Sequence, residues 1–213
     1  MRNLNLHEMV SEQIAHRGVA DGRVLAAMRT VPRHRFVLPE DINDACGDFP
    51  LPIGYHQTIS QPYIVAYMCE LVCFSEHDQV LEAGTGSGYN AAVIAQLVEN
   101  VYSIEIVPEL ARRAAATIKA LHYDNITIRH GDGYDGWKDE APFDAIIVTA
   151  AAEQIPQPLI DQLAEGGRLV IPLGNPYSNQ KLILVEKREG QITATAKLPV
   201  RFVPLTGRHG GKK

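Results

Sequence analysis

The apolar positions of the chain fall into two rhythms. Up to about residue 75 they recur at helical spacing. Leu6, Met9, Val10 and Ile14, with Gln13 beside them, define a first helix that Gly18 closes, and Asp21 is placed to cap a second through Val24, Leu25 and Met28, stopped near Pro32. Residues 32–55, rich in Pro, Asp and Gly, read as irregular. A third helix starts near Pro62, a favoured first-turn residue, and carries Ile64, Val65, Met68, Leu71 and Val72. From Asp78 onward short apolar runs alternate with helical segments. Strands are expected at 79–83, 101–106, 126–130, 143–149 and 168–173, with helices at 89–98, 108–121 and 157–164. The last two runs, 181–187 and 192–203, have no helix between them, and Gly190 suits a hairpin.

Alternation of that kind predicts an α/β fold, a doubly wound Rossmann-like parallel sheet that ends in antiparallel edge strands. The expected organisation is a single domain over 1–213: an N-terminal helical cap and substrate segment (1–75), a cofactor-binding α/β core (76–175), then antiparallel edge strands and a tail (176–213).

Composition narrows the partners. The net charge is −5 and no basic stripe stands out, so no nucleic-acid partner is expected. Only Arg208 to Lys213 are basic, and Gly210 and Gly211 make that stretch read as a loose tail. No apolar run is long enough to span a bilayer and the start lacks a signal-like segment, so a cytoplasmic location with no membrane partner is expected. The chain is taken as a monomer, a state that the sequence itself does not give. Cys46, Cys69 and Cys73 fit no paired framework; Cys69 and Cys73, four apart at helical spacing, read as small buried hydrophobes rather than as a metal or redox pair. The histidines are scattered and neither H-E-x-x-H nor C-x-x-C occurs, so no metal is expected.

The chemistry is concentrated at residues 79–88, where an apolar run carrying Glu82 breaks into Gly84, Gly86 and Gly88 ahead of a small-residue helix. A strand, a tight glycine turn and a helix N-terminus make a nucleoside-cofactor site, because glycine lets backbone approach the ligand. Nicotinamide sites favour G-x-G-x-x-G, and Tyr89 stands where the third glycine would be. A nucleophile elbow around Ser87 would need glycines where Thr85 and Tyr89 sit. The G-x-G-x-G spacing with Glu82 two residues before it is similar to motif I of the S-adenosylmethionine-dependent methyltransferases, whose ligand carries a sulfonium and a zwitterionic tail that suit a nearby carboxylate. Glu105, at the end of the second strand, is positioned either to accept ribose hydroxyls or to sit solvated at a strand end. Asp132 and Gly133 would take an adenine amino group and ring, or form a plain Asp-Gly turn. Ahead of the third helix, Ser60 or Gln61 would cap it, or the helix start with the Thr58 and Ser60 hydroxyls would attract a carboxylate, and the sequence leaves both open.

Three segments together resemble the protein-L-isoaspartate O-methyltransferase family: Gln57-Thr58-Ile59-Ser60-Gln61-Pro62, the turn from Glu82 to Tyr89, and Val148-Thr149-Ala150-Ala151. Val31-Pro32-Arg33 and Val203-Pro204-Leu205-Thr206-Gly207 extend the resemblance over nearly the whole chain. It implies a class I methyltransferase sheet, S-adenosyl-L-methionine as methyl donor and S-adenosyl-L-homocysteine as product. The substrates it implies are isoaspartyl-containing proteins and peptides, methylated on the free α-carboxylate to initiate repair through a succinimide. Ser60 matches the family's active-site serine. Thr58, Glu82, Gly84, Gly86, Gly88, Glu105, Asp132, Gly133 and, by a looser match, Thr206 are the expected cofactor-binding residues. The alternatives are a same-fold methyltransferase for a small molecule or modified peptide, an NAD-dependent dehydrogenase with no evident hydride-site acid or base, and a non-catalytic nucleotide-binding module that would leave the Thr58–Ser60 segment unexplained.

Overall fold

The computed structural model describes residues 5–175 and 179–208. The tail beyond Arg208 lies outside them. The N-terminal helix is less regular than its periodicity suggests. A short α1 (Leu6–Glu8) passes into a π-helix (Met9–Ile14) and a 3-10 turn (Ala15–Arg17), ended by Gly18 at φ +101°. In α2 (Gly22–Thr30) the Asp21 carboxylate accepts the Arg23 and Val24 N–H groups at 2.8 and 3.2 Å, and Val24, Ala27 and Met28 face inward. This is the side-chain cap that satisfies otherwise orphaned first-turn donors.

The end of the stretch expected to be irregular opens a small antiparallel hairpin, β1 (Leu51–Gly54) and β2 (Gln57–Ile59). Its turn puts Gly54, Tyr55 and His56 at φ +83°, +54° and +58°. Next comes α3 (Pro62–Val72), almost wholly buried and closed by Cys73 in the left-handed region. Cys69 is buried, its thiol pushed up by desolvation, but Cys73 is exposed rather than a core residue.

The α/β part then follows as β3 (Gln79–Ala83), α4 (Tyr89–Ile94), β4 (Asn100–Glu105), α5 (Pro108–Ala120), β5 (Ile126–His130), β6 (Phe143–Val148), α6 (Gln157–Gln162), β7 (Leu163–Gly174), β8 (Gln180–Arg188) and β9 (Gln191–Val200). The seven-stranded sheet runs β5-β4-β3-β6-β7-β8-β9, parallel through β7 and antiparallel for β8 and β9. Order reverses between β3 and β6, so their carboxyl ends open a crevice, the usual ligand position in such sheets. Helix α4 is shorter than expected because Gln96 and Leu97 turn to i−3 carbonyls, tightening its last turn. Strand β7 begins at Leu163 rather than 168, with an irregularity around Gly166 and Gly167 before Ala145 pairs with Arg168. The final strand stops at Val200, because the chain leaves the edge to pair with Ala151: the Ala151 N–H donates to Val203 O at 2.8 Å, and Leu205 N–H to Ala151 O at 2.7 Å.

Successive strand residues serve opposite faces. Val80, Ile147 and Val170 pack with α3, α4 and the N-terminal helices, whereas Leu81, Ile146, Val148 and Leu169 pack with Trp137 and Leu159. Met9, Ile14, Met28 and Phe36 of the N-terminal region belong to the first of these cores. Among the described residues, no helix is long and apolar enough to cross a membrane.

Candidate active site

The glycine turn is the floor of a cavity at the carboxyl ends of β3, β4 and β6. Gly84, Gly86 and Gly88 all have positive φ, at +105°, +55° and +89°, which L side chains rarely adopt. A side chain on Gly84 would collide with the Thr149 hydroxyl, which donates to Gly84 O at 2.5 Å. Gly86 donates its N–H to Glu105 Oε2 at 2.7 Å, and Glu105 Oε1 accepts Val107 N–H at 2.9 Å, so the buried acid clamps the loop while lining the cavity. Gly133 lines it too, where a Cβ would meet that of Ala83 at 3.1 Å. Thr58, Ser60 and Thr206 complete the wall from the hairpin side and the C-terminal segment.

Three expected residues are not in that wall. Glu82 is 0% exposed beneath the turn; its Oε1 accepts Asn90 Nδ2 at 2.7 Å and its Oε2 accepts the Ser103 hydroxyl at 2.5 Å. Burial pushes its pKa up to about 7, against the pull of those two hydrogen bonds. Gly88 instead starts α4 and faces α5, where a Cβ would touch Ala114 and Ile118 at 3.4 and 3.5 Å. Asp132 holds its own turn, accepting Tyr134 N–H at 3.0 Å and Arg208 N–H at 2.9 Å.

Sequence reasoning missed Thr149 and Asn90 as cavity residues. Thr149 follows β6 at the topological switch point, a position that could have pointed to it. Nothing in its local pattern marks Asn90.

The helix start after Ser60 is capped from elsewhere. Asp48 Oδ1 accepts the Tyr63 N–H at 2.9 Å, while Gln61 Nε2 donates to Asp48 Oδ2 at 2.7 Å. Arg17 donates to the same oxygen at 2.5 Å, its guanidinium 3.6 Å above the Tyr63 ring. The fully buried Arg33 donates through Nη2 to Ser60 O at 2.8 Å and through Nε to Ala45 O at 2.9 Å, with Tyr89 stacked beside it. Burial lowers the Arg33 pKa and raises that of Tyr89 to about 12. The Ser60 backbone is thus anchored, and its hydroxyl makes no hydrogen bond with the described residues.

A second cleft of about 730 Å³ lies on the other side of Ser60, between Arg17, Pro50 and Ile64 and the segment 198–204. Thr58, Ser60 and Thr149 line both cavities. A donor held over the glycine turn and an acceptor in the second cleft would meet at these hydroxyls. Among the described residues, no group of three or more potential metal ligands occurs.

Comparison with known proteins agrees with this geometry. Residues 4–210 match the family described as Protein-L-isoaspartate(D-aspartate) O-methyltransferase. The protein-L-isoaspartate O-methyltransferase of Opitutus terrae is 58% identical over 199 residues, covering 93% of this chain and 85% of that one. The enzyme of that name from Gloeobacter violaceus is 56% identical over 198 residues, covering 93% and 97%. A solved protein-L-isoaspartate O-methyltransferase superposes with a TM-score of 0.85 at 28% identity, covering 96% of this chain and 67% of that one. A Plasmodium falciparum protein described as a beta-aspartate methyltransferase (PCMT), solved in complex with S-adenosyl-L-homocysteine, gives 0.83 at 28% identity and covers 95% and 99%.

Proposed function

The chain belongs to the protein-L-isoaspartate(D-aspartate) O-methyltransferase family, and from that premise we propose which residues carry methyl transfer from S-adenosylmethionine to the free α-carboxylate of L-isoaspartyl residues in damaged proteins. The observation that carries the assignment is the meeting of two cavities at Thr58, Ser60 and Thr149.

The first cavity fits S-adenosylmethionine. Its backbone is open at Gly84 and Gly86, and Gly133 leaves room beside Ala83. Glu105 retains lone pairs beyond the two loop N–H groups it accepts, enough to take ribose hydroxyls. Gly133 and Thr206 would border the adenine end. When bound, the cofactor supplies an electrophilic methyl group on a sulfonium. Glu82, Gly88 and Asp132 support the cavity from outside it, by holding the turn, the helix packing and the 132–134 loop.

The acceptor needs little activation. A carboxylate titrates near ~4 and is already ionised at neutral pH, so no general base is required. Ser60 donates its hydroxyl to one carboxylate oxygen and aims the other at the methyl group. Thr58 and Thr149 border the same point. Rate enhancement comes from alignment and exclusion of water, effects worth up to ~7–11 kcal/mol. We also read the chain as one folding unit acting as a cytoplasmic monomer; the core shared by the N-terminal helices and the sheet supports the first part.

The test is methyl transfer to paired peptides that differ only in carrying L-isoaspartate or L-aspartate. The isoaspartyl peptide should be labelled and its normal twin nearly inert, since one backbone methylene moves the free carboxylate between main chain and side chain. Equal labelling of both, or of neither, would overturn the assignment.

A further inference from the structure

We propose that Arg201 is a specificity-determining residue of the second cleft and selects isoaspartyl segments that carry an acidic side chain within two residues of the damaged position. The inference rests on the reading of that cleft as the acceptor site.

The cleft is charged in one sense only. The chain as a whole carries a net charge of −5, yet no Asp or Glu occurs after Glu189, and residues 198–204, one wall of the cleft, come from that acid-free stretch. Among the described residues that line the cleft, Arg17 and Arg201 are the charged ones, and none is acidic. The two arginines are not equivalent. Arg17 is neutralised by Asp48, whose Oδ2 lies 2.5 Å from its Nη1, and it stacks on Tyr63. Arg201 is exposed, and its side chain makes no hydrogen bond or ion pair with the described residues. It is the lining charge left without a counter-ion.

The backbone that presents Arg201 is fixed on both sides. Val200 pairs with Gln180 at the end of β9. The Gln180 side chain, 2% exposed, then grips the next residue but one: its Oε1 accepts Phe202 N–H at 2.6 Å and its Nε2 donates to Phe202 O at 3.1 Å. A guanidinium offers a planar fork of donors that matches a carboxylate and repels an ammonium. With the acceptor carboxylate at Ser60, the residues before and after it run along the cleft, past the wall that holds Arg201. An acidic neighbour is drawn in there, and a lysine is pushed away.

The test compares kcat/KM for three isoaspartyl peptides that differ at one flanking position, which holds Glu, Ser or Lys and is placed one and two residues away on each side in turn. At the responsive position the wild type should favour Glu over Lys by about three- to ten-fold, the attraction of an exposed pair added to the matching repulsion, with Ser between them. The preference should fade at about 1 M salt, where the screening length is ~3 Å. Arg201→Gln should bring the three peptides together and Arg201→Glu should reverse their order. S-adenosyl-L-homocysteine affinity should not change in either variant, because Arg201 does not line the first cavity. Equal losses on all three peptides in Arg201→Gln would place the arginine on the acceptor carboxylate itself, and a surviving preference for Glu would place the selecting charge elsewhere. Either result overturns the inference, as does a wild type indifferent to every flank. If the wild type labels none of the isoaspartyl peptides, the proposed function fails and the inference falls with it.

Discussion

Replacing Ser60 by alanine removes one hydroxyl from the point where the two cavities meet, and the consequences for stability and for turnover separate cleanly. On the stability side, the hydroxyl has no hydrogen-bond partner among the described residues, the helix behind it is capped by Asp48, and Arg33 grips the Ser60 carbonyl rather than its side chain. Ser60→Ala should therefore change unfolding free energy by no more than about 0.5 kcal/mol, the range of substitutions that break no specific interaction. On the catalytic side, a hydrogen bond to the acceptor carboxylate is charge-assisted and worth roughly 1.5–3 kcal/mol, or about ten- to more than hundred-fold in rate. The assay is single-variant: turnover on an isoaspartyl peptide at saturating S-adenosylmethionine, S-adenosyl-L-homocysteine affinity by calorimetry, and a thermal melt. Turnover should fall by that factor with affinity and melting temperature nearly unchanged. If Ser60 merely capped α3, the loss would be about 1 kcal/mol of stability, some 2–4 °C in a chain of this size, with turnover per folded molecule intact. That result would remove Ser60 from the reaction.

Two further outcomes follow from buried charge. Glu82 titrates near 4.5 unfolded and near about 7 when folded, so between those values the native state holds a proton that the unfolded chain has lost, and stability falls as pH rises through the window by ~3 kcal/mol. The unfolding free energy of wild type relative to Glu82→Gln, measured by denaturant titration, should drop by that order from pH 5 to pH 8; a pH-independent difference would mean that Glu82 is ionised normally. Asp48→Asn weakens the acceptor shared by Arg17, Gln61 and Tyr63, and should cost about 1–3 kcal/mol of stability together with reduced kcat/KM, whereas a variant unaltered in both would show that the Ser60 segment holds itself.

The sheet was legible because its strands are short apolar runs between helical periods, and parallel strands buried on both faces leave little ambiguity about which segments are central. The β1–β2 hairpin was not, because its turn uses Tyr55 and His56 at positive φ instead of the Asn-Gly or Asp-Gly pair that signals such a turn. For the same reason of local disguise, the 3-10 and π turns around Met9–Arg17 keep helical spacing while departing from α geometry. In the site, the positions given by backbone demands were readable: glycines at positive φ, and an acid ending the strand beside them. Those set by tertiary contact were not. Glu82 reads as a ligand acid because sequence cannot report that Asn90 and Ser103 close over it. Asp132 follows its turn-forming option for the equally non-local reason that Arg208, 76 positions away, supplies its second hydrogen bond.

The N-terminal region explains how one serine can face both cavities. A serine just ahead of a helix is ordinarily drawn into capping it, because the first N–H groups lack partners. Here that demand is met from 15 positions upstream: Asp48 reaches the Tyr63 N–H and Gln61 folds back onto Asp48. Arg17 neutralises the carboxylate that does this, and Arg33 fixes the Ser60 carbonyl from within the core. Asp48, Arg17 and Arg33 all come from outside the α/β sheet. Without them the Ser60 hydroxyl would have its own helix as a competitor for the acceptor carboxylate. The fold thus separates two roles that the sequence Ser60-Gln61-Pro62 leaves superimposed, and it does so by placing the cap on a different segment from the hydroxyl.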